Sequence, residues 1–161
     1  NHFIHGCRRN IDITVVCMNN QIYGMTGGQG SPTTPLGCLS STTPYGCSEA
    51  PFDLCELAMA AGANYVSRWT SYHVKELEKA VLAGLQTPGF SFIEALVQCP
   101  TAFGRRNKFR QVSDQVDFLR THTLLKAKRD RMIEQGEHVP KDMFVVGELV
   151  RRNRPVLGVK P

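Results

Sequence analysis

Asn19 and Asn20 follow the apolar run IDITVVCM and open the stretch NNQIYGMTGGQ. An asparagine just past a strand presents a hard amide oxygen, and the turn after it exposes main-chain carbonyls beside that oxygen. Mg²⁺ accepts such ligands octahedrally, at about 2.0–2.1 Å, while keeping diphosphate oxygens in the rest of its shell. On spacing alone an asparagine-containing turn explains the same residues. Farther along, Cys99 ends the run FSFIEALVQ and precedes Pro100, which aims a thiol at the carboxyl edge of a buried strand. Taken alone, a cysteine there is a small buried apolar residue. The glycines at 24, 27, 28 and 30 do not fit GxGxxG, and the chain has no GxxxxGK(S/T), CxxC, HExxH or GxSxG. His2 and His5 lie one helical turn apart without a visible third ligand.

These residues need a frame to hold them. The run from Ile11 to Met18 is β-branched and almost continuously apolar, as in a parallel strand covered on both faces. Residues 21–51 then turn to Gly, Ser, Thr and Pro, which predicts a long loop with no strand or helix of its own. A loop leaving the carboxyl end of a buried strand stands where open α/β sheets bind ligands. Asp53 is placed to cap a helix over FDLCELAMAA that stops at Gly62, and a short strand follows at Tyr65–Ser67. Val74, Leu77, Val81 and Leu85 recur at helical spacing, and Phe90–Gln98 reads as another buried strand. This alternation predicts an α/β fold, a three-layer parallel sheet with helices on both faces. Residues 112–136 read as polar and helical, and Met143–Val150 as a last apolar segment. The N-terminal NHFIHGCRRN reads as a helix already under way, which suggests a fragment or a processed product.

The 161 residues include 42% hydrophobic and 20% charged types, an ordinary globular composition that excludes disorder and collagen. No run approaches the roughly 18–20 apolar residues of a membrane span, and no signal peptide is visible, so the chain reads as cytoplasmic. Charge is uneven. Residues 1–98 hold five Lys/Arg against seven Asp/Glu, and residues 99–161 hold fourteen against seven. In the basic part Arg120, Lys126, Lys128, Arg129 and Arg131 alternate with Leu119, Leu124, Leu125 and Met132 at helical spacing, with no aromatic platform among them. That pattern is a solvated helix face, and nucleic-acid binding is set aside.

The stretch ITVVCMNNQIYGMTGGQGSPTTP closely resembles the second half of the thiamine diphosphate motif in β subunits of 2-oxoacid:ferredoxin oxidoreductases. The resemblance continues through TTPYG, PFDLCELAMAAGANYVSRWT, YHVKELEKA, GFSFIEALVQCPTAFGRRNK and GELV, weakest from Phe109 to Met143, and is greatest to the 2-oxoglutarate type. It implies a thiamine-diphosphate-binding fold over 1–108, lacking its N-terminal part, followed by a basic helical extension over 109–161. It further implies CoA-dependent oxidative decarboxylation of a 2-oxoacid, giving acyl-CoA and CO₂, with electrons passing to ferredoxin. By the same resemblance Asn20 supplies a side-chain Mg²⁺ ligand and Ile22 a carbonyl ligand. Tyr23, Gly24, Met25 and Thr26 line the diphosphate and thiazolium, with Met25 beside the reacting carbon. Gly27 lies where related enzymes vary a residue facing the 2-oxoacid, and its bare backbone leaves room for a longer substrate. Cys99 matches the fourth ligand of a 4Fe-4S cluster.

The family's GDG segment and its three other cluster cysteines have no counterpart after Asn1, so the isolated product is expected to be inactive. No catalytic base is nominated, because the resemblance puts the activating Glu on a partner α subunit; Glu49, Glu56 and Glu94 are read as surface or packing residues. Cys17 and Cys55 are read as core, Cys7 as helix packing, and Cys38 and Cys47 as loop thiols without an assigned role. Arg105, Arg106 and Lys108 are expected to help dock acidic ferredoxin. Two rivals are weighed: another thiamine enzyme of the decarboxylase or acetolactate synthase class, and a non-catalytic α/β module binding a phosphate compound through the 21–51 loop.

Overall fold

A computed structural model of the chain describes residues 1–140 and 142–158. Helix α1 (His2–Arg9) leads into strand β1 (Ile13–Asn19), followed by two short strands, β2 (Ile22–Tyr23) and β3 (Gln29–Gly30). Then come α2 (Leu54–Ala60), β4 (Tyr65–Thr70), α3 (Val74–Gln86) and β5 (Phe90–Leu96). A single π-helical turn covers Pro100–Gly104. The chain continues through α4 (Val112–Thr121), β6 (Thr123–Leu125), α5 (Lys126–Glu134) and β7 (Phe144–Arg151).

The main sheet has the order β1-β5-β4-β7-β6. Strands β1, β5 and β4 run parallel, as the alternation of elements predicts. Successive side chains on these strands serve opposite layers, as the pleat requires. Phe90, Phe92 and Val66 meet Cys7 of α1 and Cys55 and Ala58 of α2, whereas Tyr65 and Ile93 meet Ala80, Leu77 and Val81 of α3. Helices therefore cover both faces. Gly84 lets α3 settle on the sheet: a Cβ there would lie 2.7 Å from Cδ1 of Ile93. The inward face of α3 is Leu77, Ala80, Val81 and Gly84, while Val74 and Leu85 are exposed.

Three expectations need correcting. Strand β1 is not covered on both faces: it lies at the sheet edge, with Ile13 47%, Val16 42% and Met18 63% exposed. Its apolar composition cannot tell an edge from a centre, because both are β-branched. The 21–51 loop carries the small antiparallel pair β2–β3. The C-terminal part is not purely helical. Residues 123–125 form β6, and β7 pairs antiparallel with β4, Val66 opposite Val150, so the sheet extends into this part of the chain. Three-residue strands fall below the length at which periodicity separates strand from helix.

Candidate active site

The register of the sheet brings the two singled-out positions together. Asn19 of β1 pairs with Leu96 of parallel β5, and the Val97 amide donates to the Asn19 carbonyl at 3.0 Å. Asn20 and Cys99 thus leave adjacent strands at the same carboxyl edge, the side on which open α/β sheets take ligands. Gly24 lies between them. A Cβ on Gly24 would stand 3.1 Å from the Cys99 sulfur and 3.8 Å from Asn20 Nδ2. Cys99 also packs with Ile22, Ala102 and Phe103 in a small buried cluster that Cys38 joins from the long loop.

The turn that carries these groups is fixed from below. Gln21 has φ +62°, a conformation costly for a side-chain-bearing residue. Its amide donates to Asn19 Oδ1 at 3.0 Å, and its carbonyl accepts from the Thr34 hydroxyl at 2.6 Å. Asn19 Oδ1 also accepts from the Thr33 hydroxyl at 2.8 Å, and Asn19 Nδ2 donates to Glu94 Oε1 at 2.7 Å. Glu94, 2% exposed, receives Arg68 Nε at 2.6 Å on its other oxygen. Arg68 Nη2 reaches Asp53 Oδ1 at 2.5 Å, and the same oxygen caps α2 through the Glu56 amide at 2.9 Å. A line of charges and amides therefore runs from the start of α2, under the sheet, to the turn.

Electrostatics follow from this packing. Burial pushes the Asp53 carboxyl up, but the Arg68 guanidinium outweighs it and holds Asp53 below the usual carboxylate range. Cys55 donates to Glu94 Oε2 at 3.4 Å, and burial drives its thiol far up, leaving it inert. Cys99 behaves oppositely. Burial raises it, yet the amides of Phe103, Ala102 and Thr101 and the Thr101 hydroxyl together bring it below the ordinary thiol value. The Cys99 thiol is thus shifted toward the thiolate, the form that binds metal, whereas burial shifts Cys7, Cys17, Cys38 and Cys55 away from it.

The rim is different. Met25 is wholly exposed and Tyr23 is 53% exposed. Thr26 spends its hydroxyl on Gln29 Oε1 at 2.7 Å, and Gly27 and Gly28 take φ of +120° and +82°. Asn20 Oδ1 accepts from the Ile22 amide at 3.3 Å, and the Ile22 carbonyl from the Gly24 amide at 3.1 Å. Each oxygen keeps a second lone pair, so both could serve a hard cation. No cluster of three or more His, Cys, Asp or Glu able to hold a metal exists among the described residues. Beside the turn, a cleft of about 960 Å³ has Asn19, Arg68 and Glu94 on its floor and Phe103, Phe109 and Phe144 among its walls. Its floor groups are largely spent on one another.

Sequence reasoning singled out Asn20 and Cys99 but missed Glu94 as more than packing, and missed Arg68 and Thr33. A signal existed: Glu94 and Arg68 are opposite charges in the middle of apolar strands, and they are register partners. The distant Cys38 and Cys47 are neighbours through the Cys47 amide to Cys38 carbonyl bond of 2.8 Å. The basic helix face is partly paired, Asp130 receiving both Lys126 and Arg129 at 2.7 Å. None of the helices among the described residues is long and apolar enough to cross a membrane.

Residues 1–95 match the family described as thiamine pyrophosphate enzyme, C-terminal TPP binding domain. The chain is 52% identical over 160 residues to the 2-oxoglutarate synthase subunit KorB of Methanothermobacter thermautotrophicus, covering 99% of this chain and 55% of the relative. It is 50% identical over 155 residues to the KorB subunit of Methanocaldococcus jannaschii, covering 96% and 56%. In structure it is similar to the 2-oxoglutarate:ferredoxin oxidoreductase of Magnetococcus marinus, solved with 2-oxoglutarate, coenzyme A and succinyl-CoA bound. That likeness has a TM-score of 0.78 and 28% identity, over 97% of this chain and 53% of the other. The chain spans about half the length of the curated relatives it matches.

Proposed function

The chain belongs to the thiamine pyrophosphate enzyme family of C-terminal TPP-binding domains, and on that premise we propose that it serves in the β subunit of a 2-oxoglutarate:ferredoxin oxidoreductase. The observation that carries the reading is the convergence of Asn20, Gly24 and Cys99 at one strand edge. The similarity to KorB subunits, along nearly the whole chain, supports the same enzyme over a simple decarboxylase or a phosphate-binding module.

The residues fit the groups this reaction requires. Asn20 Oδ1 and the Ile22 carbonyl are hard oxygens with a free lone pair each, the donors Mg²⁺ prefers. A side chain at Gly24 would crowd the Cys99 sulfur, so glycine keeps the edge open. The softened Cys99 thiol suits iron in a 4Fe-4S cluster, whose other ligands lie elsewhere in the assembly. Bound thiamine diphosphate supplies a nucleophilic thiazolium carbon and a sink for the electrons left by decarboxylation. This chain's residues do the positioning. Asn19, held by Glu94 and Thr33, fixes the turn from which Asn20 Oδ1 and the Ile22 carbonyl would hold Mg²⁺. Tyr23, Gly24, Met25 and Thr26 would line the thiamine diphosphate, Met25 on the side of its reacting carbon, and Gly27 would leave space toward the 2-oxoacid. The α subunit closes the site and contributes the activating Glu. Arg105, Arg106 and Lys108 add positive charge where acidic ferredoxin docks, and coenzyme A takes the acyl group in the cytoplasm.

The test is reduction of ferredoxin by the complete assembly containing this chain, with 2-oxoglutarate and coenzyme A. The reading predicts stoichiometric succinyl-CoA and CO₂, abolished by omitting thiamine diphosphate or by Cys99→Ser. Turnover without added coenzyme A or electron acceptor, releasing the aldehyde, would assign a decarboxylase instead.

A further inference from the structure

The long loop doubles back on itself between Gly37 and Cys47. The Gly37 amide donates to the Cys47 carbonyl at 2.7 Å, and the Cys47 amide donates to the Cys38 carbonyl at 2.8 Å, so Cys47 stands opposite both residues. A Cβ on Gly46 would lie 3.0 Å from the Gly37 carbonyl oxygen, so glycine is what lets the two limbs meet this closely. Antiparallel backbones bonded face to face hold opposed Cα atoms about 5.5 Å apart, inside the roughly 4.4–6.8 Å that a disulfide spans. Both cysteines are free and half-buried. Burial pushes the Cys38 thiol up and a charge on Cys47 pushes it further, so the two sulfurs are near enough to feel each other. The limb that carries Cys38 is anchored: the Asn107 carboxamide bonds both backbone groups of Leu39, at 2.8 and 3.0 Å, and Cys38 packs on the cluster around Cys99. The tip leans on the rim. There the Ser41 amide donates to the Gly28 carbonyl at 2.7 Å, and the Thr42 hydroxyl accepts from the Gly30 amide at 3.0 Å.

Two facing thiols at the base of such a segment can be joined by a two-electron oxidation. With hydrogen peroxide as the oxidant, one sulfur attacks the peroxide: the O–O bond breaks, an S–O bond forms, and water leaves behind a sulfenic acid. The second thiol attacks that sulfur; the S–S bond forms as the S–O bond breaks, and the thiol proton leaves with the hydroxyl as a second water. Two thiols and one peroxide thus give one disulfide and two waters. Because the thiolate is the nucleophile, the raised Cys38 thiol is slower toward peroxide and takes the second, resolving role. We propose that Cys38 and Cys47 are a reversible, peroxide-responsive thiol pair whose disulfide ties the base of the 37–47 segment and stiffens the rim turn on which its tip leans. The pair needs neither cofactor nor substrate, so it stands apart from the function proposed above.

The experiment titrates the complete assembly bearing this chain with hydrogen peroxide and blocks the remaining thiols with N-ethylmaleimide. Chymotrypsin then cuts the denatured chain after Leu39 and Tyr45, which places Cys38 and Cys47 on separate peptides for mass spectrometry. The expected result is a Cys38–Cys47 cross-linked pair that dithiothreitol releases, with amide hydrogen exchange at Ser41 slowed about fivefold or more in the oxidised assembly. Cys38→Ser and Cys47→Ser each abolish both effects, Cys47→Ser without touching the cluster around Cys99, whereas Cys17→Ser abolishes neither. Peroxide that leaves both thiols free, carries either to sulfinic acid without linkage, or links either one to Cys99 or to another chain overturns the proposal. So does a Cys38–Cys47 linkage that leaves Ser41 exchange within about twofold of the reduced assembly.

Discussion

The floor and the rim of the site are built on opposite principles. On the floor, Asn19, Glu94, Arg68 and Asp53 are linked by bonds of 2.5–2.7 Å, three of the four are buried, and side chains hold side chains. At the rim, from Tyr23 to Gly28, side chains are exposed or missing and only backbone bonds and one Thr–Gln contact shape the turn. On the proposed function the rim has to admit a cofactor and a substrate and so cannot fill its own opening, and rigidity is supplied from beneath. The strained φ at Gln21 marks the joint between the two.

The comparison breaks most visibly at Glu94. Replacing it with alanine strands the buried Arg68 and frees Asn19. Unfolding by urea should show a loss of about 3–5 kcal/mol, as for other broken buried pairs. A loss under 1 kcal/mol would mean that the floor does not carry the turn.

The Asp53 end of the same floor sets an acid limit. Its carboxyl is depressed in the folded chain, so the stability it contributes is present above the ordinary aspartate value and is lost as pH falls through the lower folded value. Asp53→Asn should therefore flatten the acid limb of a stability–pH curve by a few tenths to about 1 kcal/mol, part of Asp53 being exposed to water.

Cys99 sharpens the contrast, since it stands between floor and rim. Its thiol should react with iodoacetamide at a pH midpoint below that of Cys7, whose thiol burial pushes up to about 11. Peptide mapping after alkylation across pH 6–10 should show Cys99 labelled at lower pH while Cys7 is still rising at the upper limit, and equal profiles would remove the thiolate argument. The smallest effect is expected at the rim: Met25→Ala should change stability by less than about 0.5 kcal/mol, because Met25 is wholly exposed.

Much of this was legible in the sequence. The alternation of apolar strands and amphipathic helices gave the layers, and Asp53 caps α2 as its place before the helix predicts. Asn20 and Cys99 stood out because each ends an apolar run. What stayed hidden depends on lateral order. An apolar run such as Ile13–Met18 does not reveal that its strand lies at an edge, and Phe144–Arg151 does not announce an antiparallel return beside β4. Glu94 looked bland for the same reason: its meaning comes from Arg68 on the next strand and Asn19 above it, partners that exist only once the register is set.

The central claim is that Asn20, presented by that floor, holds the metal that anchors the diphosphate. Calorimetric titration of thiamine diphosphate into the complete assembly, with and without Mg²⁺, tests it directly. The account predicts Mg²⁺-dependent binding in the wild type and a loss of at least about tenfold in Asn20→Ala, near the 1.4 kcal/mol that one lost ligand contact would exceed. Unchanged, Mg²⁺-dependent affinity in Asn20→Ala would contradict it.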